Sequence, residues 1–185
     1  LPRALLGNEL LAHLPMQHYL FGVPLGRLEA QTSIGYGTLV GALHRLELEL
    51  NGVARSGNCE PRMLLSDFLR QELGATGVHV GCEHGVCGAC TVRINGVAQR
   101  SCLQPALAAA GQRVQTVEGL AGREGELTDL QAALRRHHAL QCGFCTPGIL
   151  MSAAEFLERV PDPDEAQVRA MLSGHLCRCT GYTNI

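Results

Sequence analysis

The sequence has neither a strong excess of charge nor a long uninterrupted hydrophobic run. Its 185 residues include 15 basic and 17 acidic side chains, for a net charge of −2, and no basic block stands out. A nucleic-acid partner is therefore not expected. The least polar stretch runs from Leu10 to Gly26, but Pro15 and Pro24 interrupt it. It is too short and too broken to span a bilayer, so no membrane association is expected.

Cysteine, in contrast, is abundant, with nine residues. A secreted disulfide scaffold would be one explanation, but the count is odd and no signal peptide is recognisable. A chain of this length buries roughly 70% of its unfolded surface and needs no disulfides to fold. Clustered cysteines without an export signal indicate metal binding in a reducing compartment. We therefore expect a cytoplasmic protein.

Four cysteines form a first group around a glycine-rich loop. The spacing Cys82-x4-Cys87-x2-Cys90 is followed, after eleven residues, by Cys102, which is the pattern of plant-type [2Fe–2S] ferredoxins. The loop glycines allow unusual dihedrals and let backbone N–H groups point at an anionic cluster. A zinc site would more naturally use two C-x2-C pairs, and disulfides are the other alternative. The spacing predicts a [2Fe–2S] cluster on this first cysteine group.

The remaining paired cysteines form a second group. Cys142-x2-Cys145 is separated by 31 residues from Cys177-x-Cys179, and both pairs lie at predicted helix boundaries. The N-terminus of the helix after Cys145 suits an anionic site. Taken alone, the second cysteine group is equally compatible with zinc. Beside the first group, a second iron–sulfur cluster is the better interpretation.

Hydrophobic periodicity predicts two folded parts after an N-terminal extension of unclear status at residues 1–43. That stretch is an ordered extension, a partner-docking arm or a start site placed too far upstream. Residues 44–120 read as an α+β domain: "HRLELELNG" is a strand ending in an Asn-Gly turn, "MLLSDFLRQELG" is a helix, and a hairpin turns at Asn95–Gly96. Residues 121–185 read as a bundle of four helices, with Thr128 or Asp129 as the first cap and Thr146 and Asp162 as the later ones.

Four segments in order carry a resemblance to a known family: "GCEHGVCGACTV", "SCLQP", "LQCGFCTPGILMS" and "LSGHLCRCTGYTNI". From about residue 44 to 185 the sequence resembles the iron–sulfur subunit of the xanthine dehydrogenase (molybdenum hydroxylase) family. The resemblance implies a ferredoxin-like β-grasp domain followed by a four-helix bundle, each with one [2Fe–2S] cluster. It also implies a medium partner subunit with FAD and a large one with the molybdenum–pterin cofactor. One departure is that this sequence ends at Ile185, whereas relatives usually continue with another short helix.

The resemblance also implies roles for individual residues. The first cysteine group would ligate the cluster on the FAD side, and the second would ligate the cluster nearer molybdenum. Gln141 and Cys179 match family positions that lie against the pterin. Electrons released by substrate hydroxylation at molybdenum would pass through the second-group cluster and then the first-group cluster to FAD.

The chain itself shows no nucleophile–base pair and no phosphate-binding loop, so we expect no catalytic centre on it. The alternatives from other classes are a free-standing two-cluster electron carrier or redox sensor, and a zinc-binding interaction module. Cys59 is expected to be a small buried hydrophobe, and His84 a loop residue that hydrogen-bonds outward. His137 and His138 are expected at a solvated helix end. Arg178 is a candidate contact to an anionic cofactor.

Overall fold

The computed structural model describes residues 43–122 and 125–185, so the predicted N-terminal extension lies, except for its last residue, outside the described residues. The strands are β1 (His44–Leu50), β2 (Val53–Cys59), β3 (Thr91–Ile94), β4 (Val97–Arg100) and β5 (Arg113–Gln115). The helices are α1 (Leu65–Asp67), α2 (Asp129–Arg136), α3 (Thr146–Arg159) and α4 (Glu165–Leu172). The first of them, α1, continues as a π-helical turn over Phe68–Glu72. None of these helices is long and apolar enough to cross a membrane.

The five strands form one mixed sheet in the order β2-β1-β5-β3-β4. The central pair β1–β5 is parallel, and the other pairs are antiparallel. In β1 the leucines are buried and alternate with exposed residues, because successive side chains of a strand point to opposite faces. Those leucines pack against Phe68 and Leu69 of the helical segment. The predicted α+β class and the predicted first strand are confirmed.

Both predicted Asn-Gly turns are present. Asn51 and Gly52 have φ of 53° and 80°, and Asn95 and Gly96 have φ of 50° and 90°, as tight hairpins require. The second turn pairs Thr91 with Arg100 across β3 and β4. The cysteines just outside this hairpin, at positions 90 and 102, are therefore brought to the same end of the sheet.

The helical half differs in detail from the prediction. Residues 125–185 hold three α-helices, so the predicted bundle of four is not reproduced within the described part of the chain. The α3 helix has Cys145 rather than Thr146 at its N-cap. The α4 cap is Asp164 rather than Asp162, because its side chain accepts the Gln167 N–H at 2.8 Å and Gln167 bonds back. Of the two residues predicted to cap α2, Thr128 is the one that does so.

The helical half packs against β3 and β4 through α3. The contact is close because Gly148 of α3 lies on the Gly88 carbonyl: a Cβ at Gly148 would stand 2.2 Å from that oxygen. An ion pair also crosses the contact, since the buried Arg93 donates to the carboxylate of Glu158, with Nη1 2.9 Å from Oε1. Backbone approach and charge pairing together fix the helices against the sheet.

Substituting Gly148→Ala should therefore destabilise the protein. The added methyl group has only backbone to meet, and overpacking of this kind costs about 1–3 kcal/mol, which outweighs a helix-propensity gain of about 1 kcal/mol. Gly122→Ala is the matched control, because its Cβ would meet Glu126 at an ordinary 3.5 Å. Thermal unfolding of both variants beside the parent chain tests this. Equal unfolding midpoints for the two variants would contradict the packing argument.

Candidate metal centres

The loop of the first cysteine group wraps around the Cys82 sulfur. The Cys87 N–H donates to Cys82 Sγ at 3.3 Å, and the backbone bends through positive φ at Glu83, Gly85 and Gly88. Hydrogen bonds from the backbone at Cys87 and then at His84 lower the pKa of Cys82 to about 6. The loop thus stabilises a thiolate, which is the form that ligates iron.

The other two members of the first group lie inside the sheet domain. Cys90 and Cys102 are both buried, and Ser101 fixes their hairpin end by donating N–H and hydroxyl to the Cys90 carbonyl at 3.3 and 2.7 Å. Burial, and then the neighbouring Cys90 thiol, raise the pKa of Cys102 to about 11. Such a thiol loses its proton readily only when a metal supplies the compensating positive charge.

Two loop glycines lie close to neighbouring side chains. A Cβ at Gly85 would stand 2.5 Å from Leu103 Cδ1, and one at Gly81 would stand 3.3 Å from Cys87 Sγ. The loop therefore lies directly on its neighbours. His84 is exposed and its Nδ1 bonds to the Cys82 carbonyl, so it braces the loop from within rather than hydrogen-bonding outward as predicted.

The second cysteine group brings its sulfurs together in two contacts. Cys142 Sγ and Cys179 Sγ are 3.4 Å apart, and both residues are exposed. Cys145 is buried at the N-cap of α3, and burial followed by a hydrogen bond with Cys177 raises its pKa to about 11. Burial alone would raise the pKa of Cys177, but hydrogen bonds from the hydroxyl and N–H of Thr180 lower it to about 7.

The donor sets suit a two-iron cluster. All nine cysteines lie in the described residues and none forms a disulfide. Within residues 43–122 and 125–185, no three histidine, cysteine, aspartate or glutamate side chains converge on one metal ion. In a [2Fe–2S] cluster each iron takes two protein ligands. The paired approach of the sulfurs, the N–H donors aimed at them and the glycine-lined loop all fit that arrangement.

The two cysteine loops touch each other through the backbone. The Leu176 N–H donates to the Cys87 carbonyl at 2.9 Å. Tyr182 holds the same segment, because its hydroxyl donates to the His175 carbonyl at 2.7 Å and accepts the Cys177 N–H at 2.8 Å. The sequence patterns did not indicate a role for these residues, although Tyr182 lies in the segment "LSGHLCRCTGYTNI". Only the tertiary contact between the loops reveals them.

His175 is a further buried group between the loops. Its Nε2 lies 2.8 Å from the Ser152 hydroxyl, and a Cβ at Gly88 would stand 2.4 Å from its Nδ1. Burial, and then the Arg100 charge, lower the pKa of His175 to about 4. The imidazole is therefore neutral at physiological pH and packs as part of the contact.

The structure also places the other predicted residues. Gln141 and Arg178 are exposed next to Cys142 and Cys179. Cys59 is fully buried at the end of β2, as expected, and burial and Glu72 raise its pKa to about 11. The histidines at 137 and 138 are exposed at the end of α2, which confirms the predicted solvated helix end.

Two sequence families match this chain. The family described as "2Fe-2S iron-sulfur cluster binding domain" matches residues 48–121, and the family described as "[2Fe-2S] binding domain" matches residues 116–185. The prediction of two [2Fe–2S] clusters is therefore confirmed, and zinc is not the expected metal.

Similar proteins extend over most of the chain. The nicotine 6-hydroxylase small subunit of Paenarthrobacter nicotinovorans is 51% identical over 140 residues, covering 76% of this chain and 84% of that protein. Caffeine dehydrogenase subunit gamma of Pseudomonas sp. strain CBB1 is 50% identical over 145 residues, covering 77% and 86%. The crystal structure of quinoline 2-oxidoreductase from Pseudomonas putida 86 superposes with a TM-score of 0.75 at 51% identity, covering 77% of this chain and 87% of that one.

These similarities confirm the resemblance found in the sequence. They favour an electron-transfer subunit over a free-standing carrier, because the similar proteins are named as subunits of oxidoreductase complexes. The chain belongs to the family of iron–sulfur small subunits of molybdenum hydroxylases, whose catalytic site lies on other subunits.

Proposed function

We propose that the first cysteine group (Cys82, Cys87, Cys90 and Cys102) holds one [2Fe–2S] cluster and the second (Cys142, Cys145, Cys177 and Cys179) holds the other. In the second group the Cys142 and Cys179 sulfurs are 3.4 Å apart, and Cys145 and Cys177 pack in one hydrophobic cluster. In the first group the Cys87 N–H donates to Cys82 Sγ, and Cys90 and Cys102 lie in the same hydrophobic core. When bound, the clusters accept and pass on one electron at a time. The domain limits, 44–120 and 121–185, stay a prediction.

The proposed path for electrons between the two cysteine groups is supported by the hydrogen bond from the Leu176 N–H to the Cys87 carbonyl. Cys87 belongs to the first group, and Leu176 is bonded directly to Cys177 of the second. The Tyr182 hydroxyl donates to the carbonyl of the same peptide unit, so three groups form a continuous hydrogen-bond chain. Such chains polarise one another and strengthen each bond. The backbone thus connects the two ligand sets by a short, rigid path.

We propose that two partner subunits cover the two ends of this path. At the second group, Cys179 and Gln141 are exposed. Phe144 and Leu176, which are close to the second-group cysteines in sequence, are also exposed, and this face would meet a large subunit with the molybdenum–pterin cofactor. At the first group, Val86 and Leu103 are 57% exposed, and this face would meet a medium subunit with FAD. Exposed apolar groups around a functional centre are typical of a binding surface.

Two finer points belong to the same proposal. The similar proteins are named for nicotine, caffeine and quinoline, which are all nitrogen heterocycles, and we propose that class of substrate for the complex. A cytoplasmic location is supported by the nine unpaired cysteines, which a reducing compartment preserves.

Cysteine variants test the ligand assignment. Cys102→Ala and Cys145→Ala should each lose one cluster, so iron should fall from about four to about two atoms per chain. Cys59→Ala is the control and should keep all the iron, because that thiol lies outside both groups. Iron and acid-labile sulfide are measured together with the electron paramagnetic resonance (EPR) signals of the dithionite-reduced protein. Loss of iron in Cys59→Ala, or full iron in either ligand variant, would refute the assignment.

The partner proposal is tested on the complex as the cell makes it. The chain is tagged, recovered from its native host, and analysed for iron, molybdenum and flavin. We expect molybdenum and FAD beside about four irons per chain, and bleaching of the iron–sulfur absorbance by a nitrogen heterocycle. Four irons with neither cofactor would indicate an independent carrier, and zinc in place of iron would reject both.

A further inference from the structure

Thr180 contacts the sulfur of Cys177 with two groups. Its Oγ1 lies 3.1 Å from Cys177 Sγ, and its backbone nitrogen lies 3.5 Å from the same atom. The side chain is half-buried, just after the Cys177-x-Cys179 pair. Hydrogen bonds to sulfur are among the features that set the reduction potential of an iron–sulfur cluster.

The surrounding bonds decide which way the hydroxyl of Thr180 points. The Tyr182 N–H donates to Thr180 Oγ1 at 3.1 Å, so that oxygen is already an acceptor there. A ligating cysteine is a thiolate, which has no proton and can only accept. The O–H of Thr180 must therefore donate to Cys177 Sγ once Cys177 is a ligand.

The first group has no equivalent contact among the described residues. The hydroxyls nearest its ligands in sequence, those of Thr91 and Ser101, donate to the carbonyls of Gly88 and Cys90 at 2.6 and 2.7 Å. The sulfur donors there are backbone N–H groups, such as that of Cys87 on Cys82 Sγ. A side-chain hydroxyl on sulfur therefore distinguishes the second group from the first.

We infer that Thr180 raises the reduction potential of the cluster on the second cysteine group. One added electron increases the negative charge shared with the ligand sulfurs, and a donor to an anionic acceptor is stabilised by that increase. The half-buried position strengthens the effect, because water competes less for the sulfur. Thr180 is thus a residue that tunes how electrons divide between the two clusters. This inference rests on the proposed ligand assignment.

The test is an EPR-monitored redox titration of the purified complex with dithionite. Thr180→Val keeps the shape of the side chain but removes the hydrogen-bond donor, so the reduction potential of the second cluster should fall. An electron shared between the clusters should then favour the first by roughly tenfold more than in the parent, which is about 59 mV for a one-electron couple. Thr180→Ser should restore the parent potential. Ser173→Ala is the matched control, because its hydroxyl donates to the Ala170 carbonyl and should leave both potentials unchanged. The signal of the second cluster is identified by its loss in Cys145→Ala.

The outcomes separate this inference from the proposed function. Unchanged potentials in Thr180→Val with full iron would overturn it, as would equal shifts of both clusters, which indicate general loosening. If Thr180→Val loses iron, the test is made with Thr180→Ser, which retains the hydroxyl. A lowered reduction potential of the second cluster in that variant contradicts the inference. A parent protein without two [2Fe–2S] signals would instead refute the proposed function.

Discussion

The contact between the two cysteine loops depends on the absence of a side chain at Gly88. A Cβ there would stand 2.4 Å from His175 Nδ1 and 2.7 Å from the Gly174 carbonyl oxygen, and a Cβ at Gly148 would stand 2.2 Å from the Gly88 carbonyl oxygen. Gly88 also has a φ of 78°, which few other residues adopt. Because Gly88 has no side chain, the segment before Cys177 can approach the first loop closely enough for the Leu176 N–H to bond to the Cys87 carbonyl. A side chain at this position would clash with both the His175 ring and the Gly174 carbonyl.

Burial divides each cysteine group into an inner and an outer side. In the first group Cys90 and Cys102 belong to the hydrophobic core of the sheet domain, and in the second Cys145 is the buried member. The outermost sulfurs, those of Cys142 and Cys179, are exposed. The fold thus anchors both centres from inside through packing, and it controls the more accessible sulfurs through hydrogen bonds such as that from Cys87 N–H to Cys82. In the proposed assignment, each cluster would be anchored by its buried cysteines, and the exposed sulfurs of the second group would lie nearest a partner subunit.

Sequence patterns predicted the kind of metal site well, but they predicted the three-dimensional contacts around it less well. Cysteine spacing alone separates both groups from Cys59. Sulfurs that approach one another on a single loop must come from cysteines a few residues apart, and Cys59 has no such neighbour. Two helix caps were misplaced by one or two residues. At α4 the cap is Asp164, because Gln167 lies three residues after it and completes a reciprocal pair of bonds. At α3 the helix begins one residue earlier than predicted, after Cys145, which makes no side-chain capping bond. The links made by Leu176 and Thr180 could not be predicted, since each depends on where a distant loop or a later turn lies in three dimensions.

Charge placement completes the contact between the loops. His175 is neutral, since burial and the Arg100 charge hold its pKa at about 4, so the cation here is the Arg100 guanidinium. Arg100 donates to the Gly174 carbonyl at 2.6 Å and to the Thr91 hydroxyl, and therefore bridges the segments that lead to the two cysteine groups. Thiolate-ligated clusters are anionic, and in the proposed assignment the Arg100 guanidinium would place a positive charge near the segments that lead to both of them. A neutral histidine supplies shape and a hydrogen bond at this point, while arginine supplies the charge.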